Sequence, residues 1–148
     1  MKKIVIIIFL FLLTGCFYNK DKMKYDNYIK ELNKVDKSSN NLIFDINVNK
    51  EKLTDNIIRY EMVLDNVTND ITDVEAIIIH DKITNDIYPS IGIFDEKINL
   101  FKNKKPKGII LVGYIDYKHD INSFDGTFKV LVKYKINNNK KKIYYVTK

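Results

Sequence analysis

The stretch Phe128–Ile136, FKVLVKYKI, decides the fold class of this chain of 148 residues. Its apolar residues occupy alternate positions, namely Phe128, Val130, Val132, Tyr134 and Ile136. Lysines stand at most of the positions between them, namely Lys129, Lys133 and Lys135. An apolar period of two residues is typical of a β-strand with one buried face. The stretch therefore predicts a strand that turns its apolar side to a core and its lysines to solvent.

Other segments on the N-terminal and C-terminal sides of this stretch also predict strands. They are 42–48, 57–65, 74–80, 91–100, 108–117 and 142–146. The first two alternate like the opening stretch. VEAIIIH (74–80) and GIILVGYIDY (108–117) are nearly continuous apolar runs, as expected of central strands that are covered on both faces or in part. KIYYV (142–146) predicts a last strand at a sheet edge.

Polar segments rich in Asn, Asp and Lys separate the predicted strands and have the composition of turns. They read NKEKLTDN, DNVTND, KNKKPK, HDINSFDG and NNNKKK. Six or seven strands with such turns predict an all-β, antiparallel sandwich or barrel over residues 42–148.

One of these turns carries a resemblance to a known class of domain. LDNVTNDITDVEAIII (64–79) resembles the Asn-rich second turn of Ig-like and fibronectin-like bacterial surface modules. In those modules a strand ends in a polar turn, and the next strand begins with an apolar residue after Asp or Asn. The resemblance implies an antiparallel Ig-like β-sandwich of about seven strands. The chain lacks the tryptophan and the paired cysteines of antibody domains.

Residues 16–41 precede the predicted sandwich and differ from it in pattern. The apolar residues there fall at helical spacing, namely Tyr25, Tyr28, Ile29, Leu32 and Val35. KSSNN (37–41) then ends the segment with residues that favour loops. Two interpretations stay open: a short amphipathic helix, or a flexible tether.

The N-terminus predicts where the protein is located. Lys2 and Lys3 precede an apolar run, Ile4–Leu13, that is too short to span a bilayer. A charged start, a short apolar run and small residues after it form the pattern of an export signal. Leu13-Thr14-Gly15-Cys16 follows and holds the only cysteine of the chain.

This sequence resembles the lipobox of bacterial lipoproteins. The resemblance implies a signal peptide over 1–15, cleavage between Gly15 and Cys16, and lipid on the Cys16 thiol. We therefore expect a fatty-acylated protein on the extracytoplasmic face of the cell membrane. Two acyl chains make a stable anchor, whereas one gives only marginal binding.

The charge of the mature chain argues against nucleic acid as a partner. Loss of Lys2 and Lys3 lowers the number of basic residues from 25 to 23, against 19 acidic residues. The excess of positive charge is therefore moderate, and Arg59 is the sole arginine. Arginine is the favoured residue for bidentate recognition of phosphates and bases.

Candidate catalytic groups are few. His80-Asp81 and His119-Asp120 each pair a histidine with a carboxylate, but they lack metal-ligand spacing. DNVTND (65–70) is rich in oxygen atoms, yet it departs from the calcium-loop pattern and predicts an Asx-type turn. The sequence thus predicts no catalytic residue, no metal and no cofactor, and a protein that is not an enzyme.

Tyrosines and the YPSIGIF stretch (88–94) leave binding interpretations open. Exposed tyrosine rings stack on sugars, although rings on predicted strands commonly border a core. YPSIGIF either packs Ile91, Ile93 and Phe94 onto the core or forms a loop that presents Tyr88 to a partner. Long loops often carry function.

In a sandwich of alternating strands, two basic turns fall at the end where the first strand starts. Their lysines are Lys102, Lys104, Lys105, Lys107, Lys140, Lys141 and Lys142. We expect them to contact anionic lipid or wall polymer, or else to be solvated residues that keep strand edges from pairing. The expected function is an envelope module that binds a protein or wall polymer. The alternative is a ligand-binding lipoprotein with an apolar or sugar-binding pocket.

Overall fold

A computed structural model describes residues 20–148 of the chain. The predicted signal peptide (1–15) and the lipobox cysteine, Cys16, lie outside the described residues. Across 20–148, no helix combines the length and the apolar character needed to cross a bilayer.

The described chain is mostly antiparallel β-structure in two sheets. Its strands are β1 (Asp45–Thr54), β2 (Ile57–Asp65), β3 (Ile71–His80), β4 (Ser90–Ile91), β5 (Ile98–Leu100), β6 (Ile109–Asp116), β7 (Phe128–Ile136) and β8 (Asn139–Thr147). The first sheet has the order β1-β2-β6. The second has the order β4-β3-β7-β8, and β5 also pairs with β3. A short 3-10 helix (Ile121–Ser123) lies between β6 and β7.

The main core lies between the two sheets, and the alternate apolar residues of β7 are part of it. Phe128, Val130, Val132 and Tyr134 are all buried in this core. The intervening Leu131 is also buried, because the outer face of the second sheet is covered by other residues. The apolar run of β3 is buried on both faces for the same reason. Val74, Ala76 and Ile78 face the first sheet, whereas Ile77 and Ile79 lie on the covered outer face of the second sheet. Coverage of this strand on both faces is confirmed.

An α-helix over residues 20–33, which we call α1, covers the outer face. Tyr25, Tyr28 and Leu32 of α1 are buried against that face. The chain then crosses β8, where Ser39 N–H donates to the Tyr144 carbonyl at 2.8 Å. Of the two interpretations for this segment, the structure has the helix, and the helix is packed on the sheet.

Four predicted strands differ in extent by three residues or more. β3 begins at Ile71 rather than Val74. β1 begins at Asp45 rather than Leu42. The strand expected over 91–100 is two short strands, β4 and β5, and Gly92 between them has a positive φ of 74°. β8 begins at Asn139 because the turn before it is only Asn137-Asn138, both with positive φ. Such a two-residue turn of type I′ matches the twist of paired strands.

Candidate functional site

The predicted basic loop lies at the end of the sandwich where β1 starts. Asp45 at the start of β1 pairs with Asp65 at the end of β2, and Leu64 pairs with Ile109 at the start of β6. The loop 101–108 therefore enters β6 at this end. The Asn137-Asn138 turn is there too, since Thr72, next to the start of β3, pairs with Lys135 near the end of β7. We call this the basic end.

The structure places the predicted anionic-surface lysines in two settings. Those of the loop are exposed, namely Lys102, Lys104, Lys105 and Lys107. Those at 140–142 are exposed but lie on strand β8 rather than in a turn. Lys104 sits 4.2 Å above the centre of the Phe101 ring, and Lys142 binds Glu31 of α1 at 2.6 Å. Lys142 therefore helps to hold the helix.

The DNVTND turn (65–70) at the basic end makes several hydrogen bonds to neighbouring segments. Asp70 Oδ1 accepts from the backbone N–H of Lys102 at 2.9 Å, and Thr68 N–H donates to the Ile43 carbonyl at 2.8 Å. Asn66 has a positive φ of 51°, and its amide donates to Asp45 at 2.8 Å. These bonds are those of a capped turn. Asp65 Oδ1 is buried and has no hydrogen-bond partner within residues 20–148.

A cleft of about 290 Å³ opens towards the opposite end of the sandwich. We call it the His80 cleft. Its walls come from β2, β3, β6 and the 81–89 loop, and the lining residues are Tyr60, His80, Thr84, Asp86, Ile87, Tyr88, Val112, Gly113 and Tyr114. His80 reaches it because β3 ends there, paired with Phe128 at the start of β7. Gly113 is required because a Cβ at this position would overlap the Tyr60 ring.

His80 is buried among aromatic rings. Its centroid lies 5.5 Å from that of Tyr60 and 5.1 Å from that of Tyr88, both edge-on. Burial lowers the pKa of His80, and the Lys82 backbone and the charges of Asp81 and Asp86 only partly oppose this. No hydrogen bond of ordinary geometry reaches its Nδ1 from the described part of the chain. The lowered pKa favours the neutral form of the imidazole.

The second histidine has a different setting. His119 is exposed in the loop after β6, with its ring 5.4 Å from that of Tyr117. No group of three or more His, Cys, Asp or Glu side chains within residues 20–148 is arranged to hold a metal ion. The two His-Asp pairs therefore occupy separate places, one in a cleft wall and one in an exposed loop.

Glu75 of β3 is a buried carboxylate beneath α1. Lys24 and Lys97 approach its Oε1 to 3.0 Å and 2.5 Å, and the Tyr28 hydroxyl donates to its Oε2. Burial alone would raise the pKa of Glu75, but the bonds from Lys97, Tyr28 and Lys24 outweigh it and lower the pKa. Burial and the Glu75 bond raise the pKa of Tyr28. The carboxylate is thus charged and fully engaged.

Glu31 makes a second polar contact between α1 and the sheet. Its Oε1 accepts from Lys142 Nζ at 2.6 Å and from the Tyr144 hydroxyl at 2.5 Å, and Lys133 Nζ lies 3.3 Å from Oε2. Burial raises the pKa of Glu31, but these three partners outweigh it and lower the pKa to about 2. Lys133 also sits 3.8 Å above the Tyr28 ring, which links the two contacts.

Sequence reasoning found His80 and Tyr88 but missed Glu31, Glu75 and Asp86. Glu75 had a signal, because it is the one acidic residue in the apolar run VEAIIIH. Asp86 had no such signal, since it stands in a polar loop, and only the packing of distant strands brings that loop to the cleft.

Comparisons with known proteins return no matching family model, no matching curated protein and no matching solved structure.

Proposed function

We propose that this chain is a bacterial lipoprotein of the extracytoplasmic membrane face, whose β-sandwich is a non-enzymatic interaction module. The lipobox at Leu13–Cys16 supports the anchor. The module binds a protein or wall polymer of the envelope and has no role in nucleic-acid binding.

The observation that carries this proposal is the docking of α1. The helix begins at residue 20, only four residues after Cys16, and packs on the sheet through Tyr25, Tyr28 and Leu32. Four residues span at most about 14 Å, even when fully extended. A lipid on Cys16 would therefore hold the sandwich close to the membrane, in contrast to a free tether of 25 residues.

The strand order supports an Ig-like sandwich. Three antiparallel strands, β1-β2-β6, face a sheet built on β3-β7-β8. If β1, β2 and β3 are lettered A, B and C, and β6, β7 and β8 are lettered E, F and G, the two sheets contain A-B-E and C-F-G. The constant-type and variable-type arrangements of the immunoglobulin fold share these strands. The fourth strand differs from the constant-type arrangement, because β4 and β5 pair with β3 rather than with β6. In such sandwiches the loops cluster at the two ends, and in antibody variable domains the loops of one end bind the antigen.

The basic end is the proposed contact with anionic polymer or lipid. Its loop presents four exposed lysines within six residues, 102–107. Near an anionic surface each lysine contributes about 1 kcal/mol, and salt weakens the attraction. Asp65 and Asp70 reduce the net charge of this end.

The alternative function, a ligand-binding lipoprotein, has one observation in its favour. The His80 cleft has a volume of about 290 Å³, close to the lower limit of about 300 Å³ for small-molecule sites. Its lining combines aromatic and polar side chains, so it suits a polar headgroup better than an apolar ligand.

Lipid labelling in a bacterial host tests the anchor. Wild type should incorporate a fatty-acid probe and fractionate with membranes, whereas Cys16→Ser should remain unlabelled and unprocessed. Asn19→Ala is the control, because it lies just outside the lipobox and should behave like wild type. A wild type that takes up no label would refute the lipoprotein proposal.

Vesicle binding tests the basic end. Residues 17–148, produced without the signal peptide and therefore without lipid, should bind vesicles of phosphatidylglycerol and phosphatidylcholine at low salt. Glu substitutions at the basic end should abolish binding: Lys102, Lys104, Lys105 and Lys140. The control makes the same charge change at exposed lysines elsewhere: Lys30, Lys37, Lys118 and Lys148. Equal binding by both variants, or none by the parent protein, would contradict the proposed contact.

A further inference from the structure

We propose that the His80 cleft binds an organic ammonium group, either quaternary or the protonated amine of a lysine side chain. This inference does not depend on lipid anchoring or on the basic end. It concerns a different part of the sandwich, and it is tested with different ligands.

The charge of the cleft lining favours a cation. The chain has an excess of six positive charges, yet the lining contains one carboxylate, Asp86, and neither lysine nor arginine. Asp86 takes part in no salt bridge within residues 20–148. Lys82, the nearest lysine in sequence to the cleft wall, is bound to Asp125 at 2.5 Å. An anionic ligand would therefore meet repulsion from Asp86 and find no positive partner.

The aromatic content of the cleft favours the same ligand. Tyr60, Tyr88 and Tyr114 line a space of about 290 Å³ together with the imidazole of His80. Aromatic side chains around a small volume attract ammonium groups through the ring quadrupole, and desolvation strengthens that attraction. The Tyr114 ring is half exposed and is not needed by the core, so it remains free to contact a ligand.

The state of His80 supplies the second, independent observation. The side chain is 5% exposed, lines the cleft, and leaves Nδ1 without a hydrogen-bond partner among the described residues. A buried polar atom without a partner costs about 1–3 kcal/mol, so native structures rarely keep one without a reason. A neutral imidazole adds no positive charge to the cleft, so this ring does not oppose the binding of a cation.

The rim of the cleft is unusually apolar for a loop. Ile87 lines the cleft and is 75% exposed, and Ile83 in the same loop is 98% exposed. Methyl or methylene groups next to the charged nitrogen of a ligand would pack against this rim and remove it from water. The cleft therefore combines one negative charge, aromatic rings and aliphatic contacts, which is the chemistry of an alkylammonium site.

The test measures binding to the full chain by chemical shifts of the cleft amides, such as those of Thr84 and Gly113. The probes are choline, its uncharged isostere 3,3-dimethyl-1-butanol, Nα-acetyl-lysine amide and N-acetylglucosamine. Choline or the lysine amide should shift these signals saturably, and the uncharged alcohol should bind at least about tenfold more weakly. Choline alone would identify a quaternary ammonium ligand, and the lysine amide alone would identify a protein side chain.

Variants at exposed positions keep the test independent of folding. Asp86→Asn and Tyr114→Leu should each weaken binding about tenfold, with an unchanged melting temperature. Asp116→Asn is the matched control, because it removes one exposed carboxylate that does not line the cleft. Equal binding of choline and its uncharged isostere, binding of N-acetylglucosamine alone, or no shift with either cation would overturn the proposal.

Discussion

Glu31 of the helix and Lys142 of the last strand form an ion pair at 2.6 Å, across 111 positions of the sequence. The Tyr144 hydroxyl donates to the same carboxylate oxygen. This contact joins the segment next to the proposed lipid anchor to the edge of the sandwich. The helix is therefore held by a specific polar contact as well as by apolar packing.

Replacement of Glu31 by Gln should destabilise the protein by about 1–2 kcal/mol at pH 7. The amide keeps the size of the side chain but leaves Lys142 and Lys133 without their negative partner. Urea unfolding measures the change. Glu96→Gln is the control, because Glu96 is exposed and makes no salt bridge within residues 20–148. Equal stabilities of the two variants would contradict this role for Glu31.

The pH dependence of stability should carry the signature of the same carboxyl. The pKa of Glu31 is about 2 in the folded protein against an ordinary value of 4.5. A lowered pKa means that the stabilisation is fully present above about pH 5 and is lost as the pH falls towards 2. The gap in unfolding free energy between wild type and Glu31→Gln should therefore close over that interval. A gap that stays constant from pH 7 to pH 2.5 would exclude a contribution from the charge.

Leu32→Ala should cost about 2–5 kcal/mol, because Leu32 is completely buried between α1 and the sheet. Met23→Ala on the same helix should stay within about 0.5 kcal/mol, since Met23 is largely exposed. Denaturant unfolding of both variants separates a docked helix from a tether. If Leu32→Ala is as stable as Met23→Ala, the helix does not contribute to the folded domain.

Gly113→Ala should destabilise the protein by about 1–3 kcal/mol. The new methyl group would overlap the Tyr60 ring and force it to move. The same substitution in a Tyr60→Leu background should cost less, because the ring is gone. A double-mutant cycle measures this coupling. Additive effects of the two substitutions would show that the ring does not require the glycine.

The Asn137-Asn138 turn should respond to the φ values of its residues. Asn138 has a φ of 63°, a region that favours glycine. Asn138→Gly should keep or slightly raise the melting temperature, whereas Asn138→Ala should lower stability by about 1 kcal/mol. Thermal unfolding compares the two. A stabilising alanine would indicate a different turn.

The sequence by itself determined the fold class and the identity of the core. The period of two in β2 and β7, and the covered run in β3, are local patterns that hold in any antiparallel sandwich. The end at which the loop 101–108 lies also followed from strand alternation alone. These features depend only on neighbouring residues and on chain direction, so a single sequence is enough to predict them.

The tertiary structure alone decided which polar residues come together. A short helix is marginal in water, so the choice between helix and tether for residues 20–33 depended on Ile77, Ile79 and Leu131, which are distant in sequence. Lys140 and Lys141 looked like turn residues because NNNKKK has no apolar period, but pairing with Lys135 and Tyr134 of β7 places them on a strand. The His80 cleft likewise joins β2, β3 and β6 through packing. Contacts between elements arise from long-range pairing, and no local pattern encodes them.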